Sequence, residues 1–94
     1  MDARLRDIMN SKIDDVISQS DEILAITKSL ASLVDDEENT AFGIALGRVY
    51  NAFHYQTRRI LKRDATDEEF REFVVMVSTR AADIKKAMQR QRHG

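Results

Sequence analysis

Apolar residues recur in alternating steps of three and four along three proline-free stretches of this 94-residue chain. That spacing keeps one face of an α-helix directed toward neighbouring helices over several turns. The pattern predicts an all-α fold, a bundle of three long antiparallel helices at about 3–33, 37–63 and 67–89. The three series are Ile13, Val16, Ser20, Ile23, Thr27, Leu30 and Val34; Phe42, Leu46, Val49, Phe53, Gln56 and Ile60; and Phe70, Val74, Val77, Ala81, Ile84 and Met88.

Polar residues mark the connections between these helices. The four acids of segment 35–38 suit the start of the second helix, because negative charge is stabilised at a helix N-terminus. Thr66 followed by Glu69 matches a capping box, which predicts the start of the third helix. Ser20 could begin a new helix, but the apolar series passes through it without a change of phase, so the sequence favours one continuous first helix. The tail from about residue 90 is expected to fray.

Length and composition limit the class of protein. A chain of 94 residues is too short for two independent cores, so residues 1–94 are expected to form a single domain. The chain has no cysteine, which excludes disulfides, thiolate metal sites and cysteine nucleophiles. No apolar run of secretory-signal length follows Met1, and no run is long enough to span a bilayer. These features favour a cytoplasmic protein without a membrane segment.

The chain has more apolar helix surface than a three-helix bundle needs. Segments 41–47 and 73–77 are apolar or small on nearly every side, and a helix of that kind is normally buried on every side. The economical explanation is self-association as a two-fold homodimer, the commonest closed assembly. The residues predicted to form the dimer contact, or to pack helices closely, are Phe42, Gly43, Ile44, Gly47, Phe73, Val75 and Met76.

Gly43 and Gly47 lie four residues apart in the second predicted helix, where each glycine costs about 1 kcal/mol relative to alanine. Together with Ala41 and Ala45 they form a helix face with almost no side-chain bulk. Such a face can serve close packing within the chain, a subunit interface or a ligand groove. Gly43→Leu and Gly47→Leu are therefore predicted to disrupt packing or oligomeric state.

A stripe of polar and basic residues lies on the second predicted helix, roughly opposite or flanking its apolar series. Its members are Arg48, Asn51, Tyr55, Arg58, Arg59 and Lys62. The interpretation without a function is a helix face that is simply exposed to solvent. The functional ones are a surface for an acidic protein partner, or nucleic-acid binding in which the cations contact phosphates and Tyr55 stacks on a base. A sequence pI near 6.1 argues against a dedicated nucleic-acid binder.

His54 is the one histidine before the tail. A histidine phosphotransfer domain would have a small residue and a lysine just after such a histidine, whereas Tyr55, Gln56 and Thr57 follow here. The helix offers no second histidine or glutamate at the spacing of a metal site. We therefore interpret His54 as a structural residue, and predict neither a metal nor a cofactor.

Arg48 and His54 are separated by five residues, and this pair resembles the Arg…His pair of the helical HEPN ribonucleases. In that family the two residues assemble across a dimer and cleave RNA, so the resemblance implies ribonuclease activity for this pair. The sequence offers nothing else that points to catalysis. We expect a non-enzymatic helical module for protein–protein interaction and oligomerisation. A nucleic-acid-binding accessory protein is the first alternative, and a HEPN-like ribonuclease is the second.

Overall fold

The computed structural model describes residues 1–89, and all of the regular structure within that range is helical. Four α-helices follow one another: α1 (Ala3–Ser18), α2 (Ser20–Ser29), α3 (Glu37–Leu61) and α4 (Asp67–Ala87). A short 3-10 helix, Ala31–Leu33, lies between α2 and α3. The all-α prediction is therefore confirmed. The predicted frayed tail lies outside the described residues.

The first predicted helix, 3–33, is divided in the structure into α1, α2 and the 3-10 helix. Gln19 separates α1 from α2 with φ −93° and ψ 14°. Its N–H donates to the carbonyls of both Asp15 and Val16, at 3.0 and 3.1 Å. The hydroxyl of Ser18 donates to the carbonyl of Asp15 at 2.7 Å, and serine bonding of this kind bends helices. The prediction of one continuous helix is wrong at this point.

The second break has the same local cause. Ser29 ends α2 and donates its hydroxyl to the carbonyl of Ile26 at 2.7 Å. The chain then tightens, since Leu30 N–H donates to the Thr27 carbonyl and Leu33 N–H to the Leu30 carbonyl, both three residues back. These are 3-10 bonds, which commonly end a helix. Leu33 remains 79% exposed as a result.

Side-chain caps define the starts of α1, α3 and α4. Asp2 accepts hydrogen bonds from the N–H groups of Arg4 and Leu5, and its interaction with Arg4 holds the pKa of Asp2 below its ordinary value. Asp36 caps α3 by accepting from Asn39 N–H at 3.0 Å. The predicted capping box at the start of α4 is confirmed, with both of its hydrogen bonds present. Each cap satisfies N–H groups that have no partner inside the helix.

The helix α3 lies along both α1 and α2, whereas α4 packs mainly on α1 and only lightly on α3. The core lies between these helices. Phe53 at the centre of α3 is fully buried and stacks on Phe73 of α4, with ring centroids 4.4 Å apart. The other buried apolar residues are Leu5, Met9, Ile13, Val16, Ile23, Ala41, Ala45, Val49, Ile84 and Met88.

The buried stripe of α4 differs from the predicted series in its first half. Phe73 is buried, whereas Phe70 and Val74 are 40% and 43% exposed. Ile84 and Met88, in the second half of the series, are fully buried as expected. In the first half of α4, the apolar series is therefore only partly covered by the rest of the chain. Among residues 1–89, none of the helices combines the length and apolar character needed to cross a bilayer.

Candidate interaction surfaces

The stripe predicted on the second helix lies on the outer face of α3, away from the core residues Val49 and Phe53. Tyr55 near its centre is 59% exposed. Arg48 is half-buried, and the remaining members of the stripe are exposed. Those members are Asn51, Arg58, Arg59 and Lys62.

Arg48 is held by the chain itself. Its guanidinium donates to Gln19 Oε1 at 3.1 Å and to Glu22 Oε1 at 3.0 Å. Gln19 is the residue between α1 and α2, and Glu22 lies in the first turn of α2. Arg48 therefore links α3 to the start of α2, and its charge is partly neutralised by Glu22.

The other arginines of the stripe have weaker partners. Arg59 Nε donates to the side-chain oxygen of Gln56 at 3.1 Å, which leaves its charge uncompensated by that contact. Arg58 lies 3.9 Å from the Asp64 carboxylate, and both side chains are more than half exposed. Solvent-exposed pairs of this kind contribute little to stability. The C-terminal end of the stripe is therefore the part that can offer positive charge to another molecule.

Lys62 follows α3 directly and marks the end of the stripe. It has φ 58° and ψ 30°, the left-handed conformation that often ends a helix. Its N–H still donates to the Arg58 carbonyl at 3.0 Å. The side chain is exposed at the turn between α3 and α4.

His54 lies on a different side of α3 from Arg48. Its ring meets the edge of Tyr50 at a centroid distance of 4.7 Å and lies 5.2 Å from the ring of Phe53. Arg48 points instead to Gln19 and Glu22 on the α1–α2 side. The two residues of the HEPN-like pair thus have separate partners within the chain.

An aromatic cluster runs from the core to the surface between α3 and α4. The Phe53–Phe73 stack at its base is buried, and Phe70 lies 6.5 Å from Phe53 and 6.4 Å from Tyr50, measured between ring centroids. Tyr50 is 46% exposed, and Val74 extends the same surface along α4. The sequence indicated excess apolar character in segments 41–47 and 73–77, and it placed Phe70 and Val74 in the core-facing series of the third helix rather than at an interface.

The residues predicted for the dimer contact are spread over several environments. Phe73 belongs to the core, and Val75 is 65% exposed on another side of α4 from Phe73. Phe42, Ile44 and Met76 are half-buried and pack against the core. The structure therefore does not gather these residues into one surface.

Both predicted close-packing glycines have open space where a side chain would begin. Within residues 1–89, a Cβ atom added at Gly43 or Gly47 would meet no heavy atom outside its own helix within 4 Å. Gly43 is exposed and Gly47 is half-buried. Close helix packing within the described residues therefore does not require glycine at either position.

A groove that the sequence did not predict lies between α2 and the C-terminal part of α4, with a volume of about 840 Å³. Leu24 and Ala87 contribute apolar surface to it, while Lys28 and Asp83 contribute charge.

Among residues 1–89, no three histidine, aspartate or glutamate side chains are grouped so that they could hold a metal ion. Comparison of the chain with protein-family models, with curated proteins and with solved structures gives no match.

Proposed function

We propose that this protein is a non-enzymatic helical interaction module that associates with a second copy of itself and presents the outer face of α3 to an acidic protein partner. The observation that carries the proposal is the aromatic cluster that continues from the buried Phe53–Phe73 stack to the half-exposed Phe70 and Tyr50. Apolar surface that is continuous with a core is typical of an interface.

The charges of α3 favour a protein partner over nucleic acid. Arg48, the first cation of the stripe, is already paired with Glu22, and Asp64 lies beside Arg58. Acids among the cations weaken attraction to a phosphate backbone, which depends on the number of phosphates neutralised. A protein surface with a few carboxylates fits Arg58, Arg59 and the exposed ring of Tyr55, since arginine and tyrosine are enriched at interfaces.

The self-association is tested by light-scattering mass over a concentration series from micromolar to millimolar. The expected result is a rise from the mass of one chain to that of two. A mass of one chain throughout the series would overturn the dimer.

The stripe is tested by titrating the protein with poly-glutamate and with single-stranded RNA at two salt concentrations. We expect poly-glutamate to bind, and Arg58→Glu together with Arg59→Glu to abolish its binding. The matched control is Arg71→Glu on α4, which is exposed and outside the stripe. RNA binding that falls steeply with salt and is lost in the double variant would replace the acidic protein partner with nucleic acid.

A further inference from the structure

We infer that the second copy packs on the exposed face of α4, and that the two α4 helices pair in antiparallel orientation about a two-fold axis. The inference rests on the proposed self-association and names its contact surface. The surface, here termed the α4 seam, consists of Phe70, Val74, Val77 and Ala81.

The α4 seam is a continuous helix face that the chain covers only in part. Its four residues follow at steps of four, three and four, which places them on one side of the helix. Phe70 and Val74 are 40% and 43% exposed, whereas Ala81 is half-buried and Val77 is half-buried with part of its side chain packed against the core. The light packing between α3 and α4 leaves this side open.

The α4 seam is complementary to itself when reversed. Its positions are symmetric about the midpoint between Val75 and Met76, so an antiparallel copy aligns them without a gap. Phe70 then faces Ala81 of the second copy, and Val74 faces Val77 of the second copy. A large side chain opposite a small one lets two helices interdigitate, and the two-fold axis repeats each contact.

Charge selects the same orientation. Asp67 and Lys85 lie eighteen residues apart, which is five helical turns, so both lie on one side of α4 beside the seam. Both are exposed, and neither is paired with an opposite charge within residues 1–89. Antiparallel pairing brings Asp67 close to Lys85 of the second copy at both ends. Parallel pairing would place like charges together, and such juxtaposition disfavours the wrong arrangement.

The size of the contact predicts a modest affinity. One pair of helices buries less than the roughly 800 Å² per partner of a standard interface. Tyr50, which meets the edge of Phe70, adds apolar surface at one side of the seam. We therefore expect a dissociation constant of the dimer in the micromolar range.

The absence of cysteine from the chain allows a direct test. Val74→Cys and Val77→Cys are prepared as separate variants with different mass tags, mixed in equal amounts and oxidised. Antiparallel pairing brings position 74 of one chain against position 77 of the other, so disulfides between the two variants should exceed those within either variant. Val75→Cys is the control, because its position is 65% exposed and lies off the seam.

The outcomes separate this inference from the proposed self-association. A dimeric wild-type mass with preferential linkage of 74 to 77 supports both. A dimeric mass with linkage of 74 to 74 and of 77 to 77 indicates parallel helices and overturns the inference. A dimeric mass in which neither seam variant links faster than Val75→Cys places the dimer on another surface. A mass of one chain at every concentration overturns the self-association as well.

A charge placed in the seam provides a second readout that needs no oxidation. Val74→Asp should weaken dimerisation by about tenfold or more, because it buries a carboxylate without a partner in the contact. Val75→Asp, one residue further and off the seam, should leave dimerisation unchanged. Circular dichroism checks that both variants keep the helical content of the wild type. Equal dimerisation of the two folded variants would overturn the inference.

Discussion

Arg63 and Glu69 form an ion pair across the connection between α3 and α4. Arg63 Nη1 donates to Glu69 Oε1 at 2.7 Å, and Nη2 donates to Oε2 at 3.2 Å, so the pair is bidentate. Glu69 Oε1 also accepts the N–H of Thr66 at 2.9 Å, and Thr66 Oγ1 accepts the N–H of Glu69 at 3.1 Å. One carboxylate thus closes the turn and caps α4, which fixes where α4 begins relative to α3.

This arrangement predicts a dependence of stability on pH. The Arg63 guanidinium, together with the Thr66 N–H, lowers the pKa of Glu69 from 4.5 to about 2. A carboxylate with a lowered pKa stabilises the fold at pH values above its ordinary pKa, and that contribution disappears as the pH falls toward 2. Thermal unfolding between pH 6 and pH 2 should therefore show a loss that depends on Glu69.

Glu69→Gln is the variant that tests this loss. We expect it to lower the free energy of unfolding at pH 7 by about 1–2 kcal/mol, a figure reduced for solvent screening because Arg63 is half exposed. The variant should also lose less stability than the wild type between pH 5 and pH 2. Glu68→Gln, one residue earlier and exposed, is the control. The same acid sensitivity in Glu69→Gln and in the wild type would contradict the assignment.

Alanine at Gly47 should stabilise the protein. The position lies in the interior of α3, and an added Cβ meets no atom within 4 Å. Replacement of a helical glycine by alanine then gains about 0.5–1 kcal/mol, because the unfolded chain loses conformational freedom. The measurement is chemical denaturation at a low protein concentration, with Gly43→Ala as an independent second case. Destabilisation of both variants would contradict the open space that the structure shows at these two positions.

Arg48 and Glu22 should be energetically coupled. Their ion pair at 3.0 Å joins α3 to α2, and it is partly exposed to solvent. A double-mutant cycle with Arg48→Ala and Glu22→Ala should give a coupling energy of about 0.5 kcal/mol, which falls as salt is added.

A cycle between Arg59→Ala and Glu22→Ala serves as the control for this coupling. Arg59 lies on the same helix and donates to Gln56 rather than to an acid. We expect a coupling near zero for that pair. Equal coupling in the two cycles would contradict a specific bridge between Arg48 and Glu22.

Two phenylalanines of one cluster should differ in their contribution to stability. Phe53 is fully buried and stacks on Phe73, so Phe53→Ala should cost about 3–5 kcal/mol through lost burial and a cavity. Phe70 is 40% exposed, so Phe70→Ala should cost clearly less at a concentration where the protein is monomeric. Urea denaturation of the two variants gives the comparison. Equal losses would mean that Phe70 is as well packed as Phe53.

The helical character and the starts of α3 and α4 were predictable from the sequence because they depend on neighbouring residues. The apolar spacing identified the buried residues Val49, Phe53 and Gln56 of α3, whereas Ala41 and Ala45 are buried at its start in place of Phe42 and Leu46. The Thr66–Glu69 capping box needs only residues three positions apart, and its geometry is the one expected. Local hydrogen bonds of this kind are encoded within a single turn.

The tertiary structure decided which residues of each apolar series are buried and where the first predicted helix is interrupted. The apolar series alone could not show the interruption at Gln19, because the buried residues on either side of it, Val16 and Ile23, keep the seven-residue spacing of a continuous helix. It also could not show that Phe73 is buried while Phe70 remains half exposed, since both lie within one turn of an apolar helix and the position of α3 selects between them. The sequence by itself determined which segments become helices. The packing of segments distant in the chain determined which apolar surface remains exposed, because burial depends on neighbours that spacing along one helix does not identify.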